Sequence, residues 1–382
     1  MPRATIHRAR RRLRCDRRSR PRSRRTSADR RDARADRVPI GDTDRLRCAR
    51  AERGSAAWPR REPARCTGRA VRRTAESPAA TCPHDRRSGG PPSEPTSVRL
   101  VAMSITPVTG VLGAEIRDVR LADLAGAELE AFRAVLCEHE VVVVRDQFIA
   151  PGEQAAFSRR LGPSGETPFV VTMPDHPDII KVVKEADEGA AFNFGGAWHS
   201  DFSFQPEPPS FTILAAVDVP PWGGDTVFTS MSDSFEALDP ATRARLSSLT
   251  AVHTARDAYS RKMQPIHSGM RGMTIVCDDS ANDEFRHPLV CRHPETGRTV
   301  LFFNRAYVRD IDGLEHDEAQ GLISFLHHYS TDARFTYRHR WLPGDVVIWD
   351  NRSTQHLAVN DYGGFRRELH RTTIAGTRPV PA

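Results

Sequence analysis

Near residue 100 the chain changes from a polymer that cannot bury a core into one that can. The first 100 residues carry 29 Arg, no Lys and 11 Asp plus Glu, a net charge of +18; that leaves −11 for residues 101–382 within a whole-chain charge of +7. A segment so charged, and so poor in aliphatic and aromatic side chains, cannot offset the entropy of ordering. Residues 1–102 are therefore expected to be a disordered Arg-rich extension, and residues 103–382 a single folded domain. The basic cluster at residues 8–25 has the composition of an arm for nucleic acid or another anionic surface. Arg without Lys, beside Ala, Pro and Ser, is also what GC-rich DNA yields when translated upstream of a true start, and Met103 then reads as a native N-terminus. That reading is preferred here, so nucleic acid is not an expected partner. A transit peptide is a third reading, and the 11 acids count against it.

The remainder alternates short apolar runs with turn signals. Leu129, Phe132 and Leu136 fall at helical spacing before the four valines 141–144, a run suited to a buried strand. Pro151 opens a second helix and Gly162-Pro163 closes it. Strands are then expected at 179–183, 211–217, 226–229, 249–253, 289–292, 300–303, 335–341, 346–349 and 369–374, with helical interludes near 232–246 and 315–329. Many short strands with a few packed helices predict a mostly β, α+β domain of the sandwich or distorted-barrel type. No run approaches the length of a membrane span. Three cysteines fall in the folded part and none forms a CxxC, so neither a zinc knuckle nor a disulfide framework is suggested, and a cytoplasmic setting is expected.

Chemistry concentrates in Trp198-His199-Ser200-Asp201-Phe202, which is expected to be an extended strand end. Side chains two apart on a strand share a face, so His199 and Asp201 can aim at one point and supply two ligands of a 2-His-1-carboxylate iron site. His176-Pro177-Asp178 has the same spacing but reads as a turn feeding a strand. What separates the two is company downstream. Trp349-Asp350-Asn351-Arg352-Ser353-Thr354-Gln355-His356 offers a third ligand in His356. Arg367 follows eleven residues later, and a His on one strand with a guanidinium on its neighbour could flank one pocket. Arg suits a two-pronged grip on a carboxylate.

Trp-His-Ser-Asp, Gly223-Gly224-Asp225-Thr226, Trp-Asp-Asn-Arg-x-x-Gln-His and Arg-Arg-x-x-His-Arg-x-Thr occur in that order. This set resembles the taurine dioxygenase and 2,4-dichlorophenoxyacetate dioxygenase family of Fe(II)/2-oxoglutarate enzymes, over about residues 104–378. The resemblance implies a double-stranded β-helix, or jelly-roll. It implies Fe(2+) held by His199, Asp201 and His356, with 2-oxoglutarate and O2 as co-substrates and succinate and CO2 as products. The far carboxylate of 2-oxoglutarate would lie on Arg367 with the Thr226 hydroxyl, although Gly223-Gly224-Asp225 by itself reads as an ordinary hairpin turn.

Arg371, an even step from Arg367, would hold an anionic group of the primary substrate. His370, an odd step away, should face the other side. Where the taurine enzyme cages its sulfonate, this chain has Thr167, Val170 and Gly195, while Phe202, Phe302 and Phe303 suggest an apolar neighbourhood. The expected reaction is therefore hydroxylation of a small anionic organic substrate other than taurine. Residues 259–283, with Met263, Met270 and Met273, are the expected lid. Trp198 and Trp349 read as core. A homo-oligomer, dimer or tetramer, is the expected assembly. Two other classes compete: a metal-dependent hydrolase using the same three ligands on zinc, and a non-catalytic β-domain carrying a nucleic-acid-binding arm. The first leaves Thr226 and Arg367 unexplained, and the second gives no reason for the intact ligand set.

Overall fold

The computed structural model describes residues 103–189 and 193–382; the basic extension lies outside the described residues. The folded part is mixed and mostly sheet. Its largest element is a seven-stranded sheet ordered Ser104–Pro107, Ala114–Arg117, Val141–Val144, Val346–Asp350, Phe211–Asp218, Arg367–Ile374 and Ile180–Lys184. Only the pairing of Ala114–Arg117 with Val141–Val144 is parallel.

Both faces of this sheet are covered, which is why its central strands read as unbroken apolar runs rather than as alternation. Val142, Val144, Ile213, Ala215, Val346 and Ile348 point to one side. There they meet the helices Gly126–His139 and Pro151–Leu161 through Leu129, Phe132, Leu136, Phe157 and Leu161. The alternate residues Val141, Val143, Leu214, Val347, Trp349 and Leu369 point the other way, against Phe228 and Trp341. Period-two geometry thus divides each strand between two cores.

Phe228 belongs to a three-stranded sheet, Thr336–His339, Thr226–Ser230 and Thr354–Ala358, which forms the second layer. A second three-stranded sheet (Val308–Ile311, Thr250–Thr254, Glu284–Pro288) and the pair Thr299–Leu301 with Val290–Arg292 extend that side. His316–Ser330 packs there with Ile323 and Leu326. The interlude expected near 232–246 is two helices, Met231–Glu236 and Pro240–Ser247. Asp239 breaks it: its side chain accepts from the amides of Ala241 and Thr242, and Pro240 starts the next helix.

Two expectations about strands are corrected. Only His199 makes a bridge, with His356, and residues 201–204 are turns. Asp201 therefore does not reach the site by the pleat of a strand. His356 and Arg367 are not on neighbouring strands either: Thr354–Ala358 lies in the small sheet and Arg367–Ile374 in the large one. The pocket is held between two layers. The sequence offered only the order of the segments, and order does not reveal which sheet a strand joins.

Candidate functional site

His199 and His356 are tied together by backbone. Each amide donates to the other's carbonyl, at 3.1 Å from His199 and 2.8 Å from His356, and the rings lie 4.2 Å apart. The Ala197 carbonyl lies 2.7 Å from His199 Nδ1, so Nδ1 carries the proton and Nε2 is left as a lone pair. Trp349 packs 4.6 Å from the His356 ring, as core rather than as a cavity wall. One ligand atom each from His199, Asp201 and His356 falls within 4.8 Å of the others, all three residues being buried. Two imidazoles and a carboxylate converging in this way could hold a divalent cation.

Their protonation suits that role. Burial works to raise the Asp201 pKa, but Arg371, His356 and His199 outweigh it and hold the carboxyl well below the usual range. Burial and the neighbouring His199 push His356 down to about 3, so it stays neutral. An ionised carboxylate and a neutral imidazole are the forms a metal requires.

A polar chain behind the site orients the carboxylate. The Trp349 indole donates to Asn351 Oδ1 at 2.9 Å, and the Asp201 amide donates to the same oxygen at 3.3 Å. Indole is a donor only, so it sets the orientation of the Asn351 amide. Asn351 Nδ2 then donates to Thr212 Oγ1 at 2.8 Å, and Thr212 donates its one proton to Asp201 Oδ2 at 2.7 Å. Asn351 sat inside a quoted motif without an assigned role. Thr212 had a weak signal: a hydroxyl in the buried run Phe211-Thr212-Ile213-Leu214.

Arg371 stands on the opposite side of Asp201. Its Nη1 donates to Asp201 Oδ1 at 3.1 Å, while Nε and Nη2 are buried with no hydrogen-bond partner. Its guanidinium lies 5.0 Å from the Phe202 ring and 5.6 Å from Phe194. Phe202 takes a left-handed φ of 46°, a cost a non-glycine residue bears only where its surroundings demand it. All of these face a cavity of about 690 Å³, which Tyr259 and Tyr307 also line. Phe302 is not brought there. It stacks on His253 and lines a separate crevice of about 120 Å³ beside Cys291.

Arg367 is 4% exposed and faces an adjoining cavity of about 210 Å³. Its Nε and Nη2 lack partners, and its guanidinium lies 5.7 Å from the Trp341 ring and 5.9 Å from that of Tyr362. The Trp341 indole donates to Thr226 Oγ1 at 3.0 Å, leaving the Thr226 proton for another acceptor. Buried guanidinium donors without partners are costly unless an anion meets them, and a carboxylate fits. His370 faces the other way, 2.8 Å from Glu368. The 259–283 segment covers both cavities: Tyr259 and Met263 line the larger, Ile266 and Met270 the smaller. Thr167 is half-buried, Val170 packs in the apolar cluster beneath Phe202, and Gly195 lines the larger cavity.

Cys137, His293 and Asp350 also converge, but a cation already fills that place. Arg352 reaches Asp350 Oδ2 and Glu295 at 2.6 Å each, and burial pushes the Cys137 thiol far up, so it offers no thiolate. No helix among the described residues is long and apolar enough to cross a membrane.

Residues 104–373 match the family described as taurine catabolism dioxygenase TauD, TfdA family. The chain is 33% identical to the alpha-ketoglutarate-dependent sulfate ester dioxygenase of Pseudomonas putida over 287 residues, covering 75% of this chain and 93% of the relative. It is 31% identical over 284 residues to the (S)-phenoxypropionate/alpha-ketoglutarate-dioxygenase of Sphingobium herbicidovorans, covering 72% and 96%. Among solved structures, the putative alpha-ketoglutarate-dependent taurine dioxygenase of Burkholderia xenovorans superposes with a TM-score of 0.62 at 30% identity, covering 73% of this chain and 95% of that one. The triad that can hold Fe(II), the two spare guanidinium donors of Arg367 that a 2-oxo diacid would satisfy and these matches agree: the chain belongs to the TauD/TfdA family and is a 2-oxoglutarate-dependent dioxygenase that uses Fe(II) and O2.

Proposed function

We propose that this dioxygenase hydroxylates a small organic anion with an apolar body, held by Arg371 in the larger cavity. His199, Asp201 and His356 would hold Fe(II). Arg367, with Thr226, would take the remote carboxylate of 2-oxoglutarate. Once bound, the metal with 2-oxoglutarate and O2 supplies the oxidising chemistry, and 2-oxoglutarate leaves as succinate and CO2. The chain's own work is to bind, orient and enclose. Thr212 holds Asp201, Arg371 pins the charged end of the substrate, and Tyr259 and Met263 roof the cavity against water.

The observation that carries this reading is Arg371 itself, 3% exposed with two unsatisfied donors beside aromatic walls. A buried guanidinium with spare donors favours sulfate, sulfonate or carboxylate, and the aromatic neighbours favour an apolar body. Gly195, Thr167 and Val170 supply no sulfonate cage, which supports reading taurine as a poor substrate. The names of the Pseudomonas putida and Sphingobium herbicidovorans relatives, a sulfate ester and an aryloxy acid enzyme, are in keeping. A panel of alkyl sulfates, alkyl sulfonates, aryloxy carboxylates and taurine, scored by succinate formed per substrate consumed, tests the assignment. Tightly coupled turnover of taurine alone would overturn it.

The apposed sheets are read as a jelly-roll, and residues 103–382 as the catalytic domain. A chain beginning at Met103 should match the full chain in melting temperature and succinate formation; loss of either would assign residues 1–102 a part in the enzyme.

A further inference from the structure

Lys184 lies directly opposite Arg367 on adjacent antiparallel strands. Paired residues on neighbouring strands send their side chains to the same face, where like charges repel. Here both are buried, at 8% and 4% exposure, and both line the 210 Å³ cavity. Lys184 Nζ donates to Asn360 Oδ1 at 2.6 Å and sits 4.7 Å over the Tyr362 ring, from which the Arg367 guanidinium is 5.9 Å away. Neither cation has a carboxylate within ion-pair distance among the described residues. Glu188, the acid on the cavity wall, spends its Oε1 on the amides of Arg271 and Gly272. Residues 190–192, which adjoin the cavity in sequence, are Ala, Ala and Phe.

Two cations buried side by side without an anion should be among the most costly arrangements in the fold. A neutral amide and one aromatic face recover part of that cost for Lys184, and the Trp341 and Tyr362 rings part of it for Arg367, whose Nε and Nη2 still lack hydrogen-bond partners. An anion entering this cavity removes the repulsion and satisfies the donors at once. Nε and Nη2 form the side-on fork of a guanidinium, which grips one edge of a carboxylate, while an ammonium acts as a point charge on whichever oxygen remains.

We propose that Lys184 is a second specificity-determining cation for the co-substrate: it binds the remote carboxylate of 2-oxoglutarate together with Arg367, and so selects a 2-oxo diacid over a 2-oxo monoacid. This rests on the functional reading given above.

Calorimetric titration of the Mn(II)-loaded protein tests it without turnover. Lys184→Met should raise the Kd for 2-oxoglutarate at least about tenfold, the scale of a lost charged hydrogen bond, and leave the Kd for 2-oxovalerate, which lacks the remote carboxylate, unchanged. Lys184→Arg should keep most of the affinity. The ligand-free Lys184→Met protein should melt at or above the wild-type temperature, because a buried cation facing Arg367 with no carboxylate partner has been removed. A merely structural lysine predicts the opposite sign, and a clear drop in that melting temperature would overturn the inference. Lys184→Gln, polar and close in length, serves as a second variant with the same expected loss of affinity. Unaltered 2-oxoglutarate binding in these variants also overturns the inference. Arg367→Met separates the two levels: if it alone loses 2-oxoglutarate, the role of Lys184 fails while the functional reading stands. If neither substitution weakens binding, both fail.

Discussion

Thr212 Oγ1 lies 2.7 Å from Asp201 Oδ2, while Asp201 Oδ1 lies 3.6 Å from His199 Nε2. The two carboxylate oxygens are thereby assigned different work: one is held by the hydroxyl, the other faces His199 and accepts from Arg371. Because Asn351 already donates to Thr212, the hydroxyl proton has only Asp201 to go to. Thr212→Val keeps the shape and deletes that bond, so metal affinity should fall by about ten- to a hundredfold, the usual effect of losing a partner behind a metal ligand. Thr212→Ser should restore it. Titration with Co(II), followed by its visible absorption, measures both; equal affinity in Thr212→Val and wild type would show that the carboxylate needs no such support.

The triad makes a sharper prediction. His356→Ala should abolish succinate formation and leave the β-rich circular dichroism spectrum intact, since the site lies between layers whose cores are built by other residues. Asp201→Ala should be equally inactive but less stable, because it leaves Arg371 buried without its carboxylate; breaking a buried pair costs about 3–5 kcal/mol. Chelation of the metal should silence the wild type, and added Fe(II) should restore it. Coupled turnover in either variant would remove these residues from the metal site.

Arg371→Gln should raise the KM of an anionic primary substrate by at least about tenfold, the scale of a lost charged hydrogen bond, and shift the KM for 2-oxoglutarate much less. Steady-state kinetics with each ligand varied in turn decides this. An equal rise in both constants would move Arg371 from the substrate to the co-substrate.

Glu140 gives a test by pH, away from the site. Burial raises its carboxyl from an ordinary 4.5 to about 8, outweighing Arg298 at 3.2 Å. A raised carboxyl pKa means that the folded state holds a proton the unfolded state has released. Its stabilising share is full below about 4.5 and is lost as pH climbs toward about 8. Glu140→Gln cannot titrate, so its melting temperature should vary less between pH 5 and pH 8.5 than that of the wild type, on the order of a few degrees for a domain this size. Parallel melting curves across that range would refute the shift.

The amino-acid sequence alone determined which side chains to expect around one site, because holding a metal or an anion demands particular chemistry. His199, Asp201 and His356 do converge, and His199, Asp201 and Arg371 line one cavity while Arg367 lines the one adjoining it. It also determined the helices at Leu129 and Pro151 and most strands, since local periodicity and turn residues carry that information. What only the tertiary structure decided is which segments share a layer. His356 and Arg367, eleven residues apart, join different sheets; Phe302 turns to another crevice while Phe202 faces the larger cavity. Lys184 gave no signal for the same reason, and Thr212 and Asn351 gave none of the roles they take. A threonine in a strand, an asparagine after a strand and a lysine at a strand end are ordinary residues locally. They acquire a role only when the fold brings Thr212 within 2.7 Å of Asp201 and strand pairing sets Lys184 opposite Arg367, and such contacts leave no periodic trace in the chain.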